Sequence, residues 1–293
     1  MDRDLFGYLA LGRLRRLAGD ERFAKWGRLV PHCRLRVPEE PDPWAMAQSA
    51  AAELARRGRE VAGARILVAG CGPSNGLGYA LAAMGAAFVV CQDDTAAFDV
   101  GRDAKDLAAL ATRFPAVKFS IVKRAARLGK LADASFDAAL SATAAADDPT
   151  VRVAALRRLL APGGLVVHWA DFHAPFLRYP YHRLLFPRAP GRWSPVRHDT
   201  GPWRCDDHIA ALTGAGFDVD VAAYATDAET FAAVADRLHP DYADRDPALL
   251  AVTRATLVGC LRRPGEALPP RDPSTGGDNP PRTPLTGEGE GTR

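Results

Sequence analysis

The sequence predicts an α/β domain: a doubly wound, mostly parallel seven-stranded sheet with helices on both faces. Three observations lead there. Short, nearly continuous apolar runs alternate with helical stretches along most of the 293 residues, as they do when parallel strands are buried on both faces. Residues 66–84 read ILVAGCGPSNGLGYALAAM and run into a second apolar stretch that ends Cys91-Gln92-Asp93-Asp94. This is a strand, a glycine-rich turn, a helix and a strand ending in acid, the Rossmann-like unit that holds a nucleotide-like ligand. Finally, residues 151–169, VRVAALRRLLAPGGLVVHW, read as a helix, a Pro-Gly-Gly turn and another buried strand.

Asp42-Pro43-Trp44 is a helix start, with a capping acid and proline in the first turn, and the helix runs to about residue 60. Strand one is expected at 65–69 and its following helix at 76–84. Strand two is placed at 87–91, a helix at 104–112, strand three at 117–122 and strand four at 136–140. The next helix covers 151–160 and strand five 165–169. A further strand opens at Gly216-Phe217-Asp218-Val219, and a last, antiparallel one lies near 255–263. Residues 1–41 form a basic amphipathic extension, read as a helix pair that lays its apolar stripe on the domain under a solvated arginine face. A lid over the ligand site is the alternative reading. Residues 42–263 form the domain. From Pro264 to residue 293 the chain is Pro, Gly and polar, and disorder is expected there.

Composition narrows the function. The chain is 47% hydrophobic and 25% charged with a net charge of +3, which fits a soluble globular protein and favours no polyanionic partner. The basic residues lack interleaved aromatics for base stacking, so nucleic-acid binding is not expected. No apolar run has transmembrane length, and no signal peptide is read at the start. Five scattered cysteines, with no Cys-x-x-Cys, argue against a disulfide framework or a zinc site and for a reducing cytoplasm.

The glycines at 70, 72 and 76 let the backbone turn off strand one and approach a ligand. A short-chain dehydrogenase would need Tyr-x-x-x-Lys, and no lysine lies four residues after a tyrosine. A P-loop would need Gly-Lys-Ser/Thr, which is missing as well.

The succession Gly70-Cys71-Gly72-Pro73, then Ser135-Phe136-Asp137, then Leu160-Ala161-Pro162-Gly163-Gly164 resembles the class I S-adenosyl-L-methionine (SAM) dependent methyltransferases of small-molecule type. It covers roughly residues 45–263. The resemblance implies SAM as cofactor, a small-molecule substrate methylated at oxygen or nitrogen, and cofactor contacts from Gly70, Cys71, Gly72, Pro73 and Gly76. It implies ribose contacts from Gln92 or Asp93, and contact with substrate or the methionine end of SAM from Ser141, where a plain helix-start role is the alternative. The family pattern also asks for an acid at position 68 and after strand three, where this chain has Val68 and Lys123. Those departures motivate the alternative of a methyltransferase-like protein that has lost methyl transfer.

The Pro-rich stretch 171–203 follows strand five, where α/β sheets build their sites. His173 is the candidate general base, with Asp171 placed to orient its ring. A loop-capping or surface role for His173 is the plainer reading. His168 alternates within strand five and reads as a core residue. No metal site is expected.

Overall fold

The structure is a computed structural model and describes residues 3–19, 42–94, 96–144, 148–172, 180–189 and 202–263. The tail 264–293, residues 20–41 and His173 lie outside the described residues.

Local signals set the helix starts. The Asp42 carboxylate accepts from Trp44 N and Ala45 N ahead of α2 (Pro43–Ala55), after α1 (Arg3–Ala18). Asp99 caps α4 (Val100–Arg113) by accepting from Arg102 N, and Asp148 caps α5 (Pro149–Leu159) through Thr150 N. Each supplies an acceptor to an amide that the helix cannot satisfy itself. Between them, α3 (Gly76–Ala83) follows β1 (Arg65–Ala69). α6 is Cys205–Gly214, and three short helices follow: α7 (Ala228–Ala235), α8 (Pro240–Ala243) and α9 (Pro247–Leu250).

The other strands are β2 (Phe88–Gln92), β3 (Val122–Ala125), β4 (Phe136–Ala144), β5 (Leu160–Asp171), β6 (Phe217–Thr226) and β7 (Val252–Leu261). They form one seven-stranded sheet in the order β3-β2-β1-β4-β5-β7-β6. The first five strands are parallel, and β7 runs antiparallel between β5 and β6. The expected doubly wound α/β fold is present. Alternate strand residues face opposite layers. Ile66, Val68, Val89, Leu140 and Val167 pack with Leu54, Leu81 and Leu110 from α2, α3 and α4. Leu67, Val90, Ala139 and Val166 pack with Leu156 of α5 and Leu212 of α6. Burying each large apolar side chain contributes roughly 1.5–3 kcal/mol, so both layers hold the sheet.

Several elements differ from the sequence reading. β3 begins at Val122, because Phe119–Ile121 turns as a 3-10 helix. Phe119 sets its ring edge-on to Tyr79 at 5.9 Å, which holds that turn against α3 and delays the strand. α2 stops at Ala55, and Gly58 at φ +67° lets Arg59 N return to Leu54 O. β4 and β5 outrun their apolar cores: they pair onward from Ser141↔His168 to Ala144↔Asp171. There the sequence alternates polar and small residues, a pattern that suits strands but that a search for apolar runs ends too early.

α1 buries Tyr8 against the rings of His182 and Phe186, at 5.6 and 6.2 Å. A third cluster joins Tyr181 and Leu184 to Phe231, Val234, Tyr242 and Leu250. Arg204 fastens this cluster to the sheet. Its buried guanidinium donates to Phe172 O at 3.1 Å, Leu250 O at 2.8 Å and Val252 O at 2.7 Å. Burial pushes its pKa down to about 10, which leaves it cationic at neutral pH. Removing that charge strands three carbonyls. Arg204→Met is expected to destabilise the protein by about 3–5 kcal/mol in urea unfolding, and Arg204→Lys to recover only part, because an ammonium lacks the planar fork. A loss below about 1 kcal/mol for Arg204→Met would show that the carbonyls find other donors.

Candidate functional site

The carboxyl edge of the sheet is stepped. β1 ends at Ala69, which pairs with Gln92 on one side and Ser141 on the other, while β4 continues to Ala144. The glycine turn sits on that step, between β1 and β4, where the chain leaves in opposite directions. Such switch points are where open α/β sheets bind ligands. Gly70 has φ +80°, and a Cβ there would lie 2.3 Å from Ala142 O. Gly72 has φ +72° with nothing within 4 Å of a built Cβ, so its glycine is required by backbone conformation alone.

The chain's own groups satisfy much of this turn. Gly70 N and Cys71 N both donate to Gln92 O, at 2.7 and 3.2 Å. Gly72 N donates to Asp93 Oδ2 at 2.8 Å, and Asp93 Oδ1 accepts from Ala96 N at 2.7 Å. Pro73 O accepts from Asp99 N at 2.8 Å. Two carboxylates from α4 meet the start of α3. Asp103 accepts from Asn75 N at 2.7 Å and from Tyr79 Oη at 2.8 Å, and Asp106 accepts from Ser74 Oγ. Ser74 Oγ in turn accepts from Gly76 N at 3.2 Å. Negative charge at a helix N-terminus is favourable, so these acids brace the turn. Burial pushes the Tyr79 hydroxyl up to about 12 and keeps it a donor to Asp103 at neutral pH.

Arg124 was invisible as a site residue in the sequence. It stands on β3, beside the exposed Lys123. Its Nη2 donates to Gly72 O at 3.0 Å, its Nη1 to Asn75 Oδ1 at 3.3 Å and toward Cys71 Sγ at 3.3 Å. The guanidinium lies 4.6 Å from the Phe98 ring centroid, a cation–π distance. Val68 is buried in the layer against α3.

Gln92, Ala69, Ser141 and His168 lie in one row across four strands, and in-register neighbours face the same layer. The Gln92 amide and the Ser141 hydroxyl are buried with no hydrogen-bond partner among the described residues. His168 Nε2 approaches His208 Nδ1 at 2.8 Å and Thr143 Oγ1 at 3.3 Å, so His168 is the core residue its position in β5 suggested. Asp171 closes β5 in register with Ala144 and Arg254, three residues or about 10 Å along the strand from His168. The structure thus gathers Gly70, Cys71, Gly72, Pro73, Gly76, Gln92, Asp93 and Ser141 at the carboxyl edge, where Asp171 also ends β5, three residues beyond the row of Ser141. Among the described residues no three His, Cys, Asp or Glu side chains group as a metal site, and no helix is long and apolar enough to cross a membrane.

The histidine pair should govern acid stability. Burial lowers both rings, His208 to about 4 and His168 well below its ordinary value, with His208 and then Arg152 adding repulsion on His168. Asp207 and Asp148 pull His208 the other way, and Arg204 pushes it down. The unfolded rings titrate near 6.5. The unfolded state therefore binds more protons between these values, and stability falls as pH drops from about 6.5 toward 4. For His208 alone the loss between about pH 7 and about pH 5 is roughly 2 kcal/mol. His208→Gln is expected to flatten the curve of urea midpoint against pH; an unchanged slope would place the acid sensitivity elsewhere.

Neither a scan against protein families nor a comparison with curated sequences gives a match. Similar solved structures include an S-adenosylmethionine dependent methyltransferase from Mesorhizobium loti, 18% identical over 76% of this chain and 99% of that one, with a TM-score of 0.42. The [4+2]-cyclase SpnF is 17% identical over 75% of this chain and 81% of that one, at 0.44. A putative methyltransferase from Haloferax volcanii, solved with its Trm112 activator, is 16% identical over 84% and 99%, at 0.43. The fold itself rests on the strand order and register: a doubly wound α/β sheet with a glycine turn at its switch point.

Proposed function

We propose that this protein is a SAM-dependent methyltransferase acting on oxygen or nitrogen of a small molecule. The observation that carries the reading is the pair of buried polar groups without a partner among the described residues, Gln92 and Ser141, which flank Ala69, the last residue before the glycine turn. A buried amide and a buried hydroxyl without partners cost free energy in the ligand-free protein, and a ligand rich in hydroxyls and amines removes that cost. These groups fit SAM. Gln92 can both donate and accept toward ribose hydroxyls, the Asp93 carboxylate follows it in the chain, and Ser141 serves the methionine end. SAM supplies a methyl group on a sulfonium, open to in-line attack. The chain's part is to hold and orient the reactants and to take the nucleophile's proton, for which His173 with Asp171 is the proposed pair.

Arg124 favours a second reading. A guanidinium bonded to Gly72 O places positive charge in the turn, and SAM itself carries a sulfonium and an ammonium. A protein that binds another ligand there, with methyl transfer lost, suits that charge. Titration calorimetry with SAM and with its demethylated product separates the two. Micromolar affinity for SAM supports the first reading, and no heat with either compound supports the second.

Gln92→Leu gives a sharper check. It removes the partnerless amide at nearly constant volume, so the ligand-free protein should gain stability by about 1 kcal/mol while SAM affinity falls by about fivefold or more. Loss of stability together with unchanged affinity would show that Gln92 serves the fold.

A further inference from the structure

Two thiols meet inside the glycine turn. Cys71 is part of the turn and partly exposed, while Cys91 lies fully buried on β2. The amide of Cys71 donates to Gln92 O, which draws its backbone beside the end of β2. Cys91 pairs in register with Arg124 of β3, whose guanidinium reaches the Cys71 sulfur at 3.3 Å, and Cys71 packs on the same cluster that buries Cys91. Gly78 makes room for the arrangement, since a Cβ there would lie 2.5 Å from Cys91 Sγ.

The two sulfurs are chemically unequal. The neighbouring Cys91 thiol holds the Cys71 thiol below its ordinary value, helped by Arg124 and opposed by burial and by Asp93. Cys71, together with burial, pushes Cys91 well up. A partly exposed sulfur beside a guanidinium is the setting of a reactive thiolate, and a buried protonated neighbour is the setting of a resolving thiol. By contrast, burial pushes the Cys205 thiol up to about 12.

We propose that Cys71 and Cys91 form a reversible dithiol–disulfide site in the glycine turn, oxidised by a hydroperoxide. The Cys71 thiolate attacks one peroxide oxygen, the O–O bond breaks, and the departing oxygen takes a proton and leaves as water or alcohol. Cys71 is then a sulfenic acid. Cys91 sulfur attacks the Cys71 sulfur, the S–S bond forms, the S–O bond breaks, and the hydroxyl leaves as water with the Cys91 proton. Two thiols lose two electrons and two protons, and one peroxide is reduced. Oxidation removes the thiolate charge beside Arg124 and ties β2 covalently to the turn. Its effect on cofactor binding rests on the proposed function, whereas the oxidation itself does not.

The test uses the full chain treated with hydrogen peroxide, quenched by alkylation under denaturing conditions and mapped by mass spectrometry. The expected product is a Cys71–Cys91 linked peptide that dithiothreitol reverses, with Cys205 and Cys260 still alkylated. Cys91→Ser should instead accumulate a sulfenic acid at Cys71, trapped by dimedone. Arg124→Gln, checked for folding by circular dichroism, should slow oxidation by about threefold or more as the thiolate fraction falls. The proposal is overturned if Cys71 and Cys91 stay alkylatable while Cys33 or Cys260 oxidises, or if folded Arg124→Gln reacts at the wild-type rate.

Discussion

Gly70 has no room for a side chain. The step between the short β1 and the longer β4 presses it against the Ala142 carbonyl, and that close approach fixes where the turn lies. With Gly70 seated there, the amides of residues 70 and 71 fall onto the Gln92 carbonyl and Gly72 falls between Asp93 and Arg124. The start of α3 then faces the carboxylates of α4. Each of these contacts joins the turn to a different element, so the step in the sheet edge sets the geometry of the whole site.

The turn is unusually self-sufficient. Glycine turns before a helix present free amides to an anionic ligand, but here Asp93, Asp103 and Ser74 already accept from the amides of Gly72, Asn75 and Gly76. The unmet hydrogen-bonding capacity lies lower, in the sheet row of Gln92 and Ser141. Under the proposed function, ligand affinity would depend more on these buried side chains than on the helix end.

Arg124 and the histidine pair show how charge is managed on the two layers. The guanidinium is shared among a carbonyl, an amide oxygen, a sulfur and an aromatic face, of which the carbonyl, the amide and the ring accommodate a cation without neutralising it. On the opposite layer His168 and His208 stay neutral, because burial and the nearby arginines disfavour a second charge. A cation in the turn and an uncharged row beneath it give the site its asymmetry.

The sequence by itself determined the alternation of strands and helices, the glycine turn, the antiparallel last strand and the identity of Gln92 as a strand-end group, whereas Ser141, expected at the end of its strand, lies within β4. These follow from local period and from glycine's conformational freedom, which a single segment carries. Tertiary structure alone decided that Arg124 rather than Lys123 enters the turn, because the register of β3 on β2 pairs Arg124 with Cys91, on the α3 face, and Lys123 with Val90, on the other. It decided that Asp103 and Asp106 brace α3, that His208 finds His168 from another helix, and that Cys71 packs on the cluster that buries Cys91. Each of these pairs is separated by 20 to 40 residues in the sequence, and which partner arrives is set by strand order and register, not by any pattern within either segment.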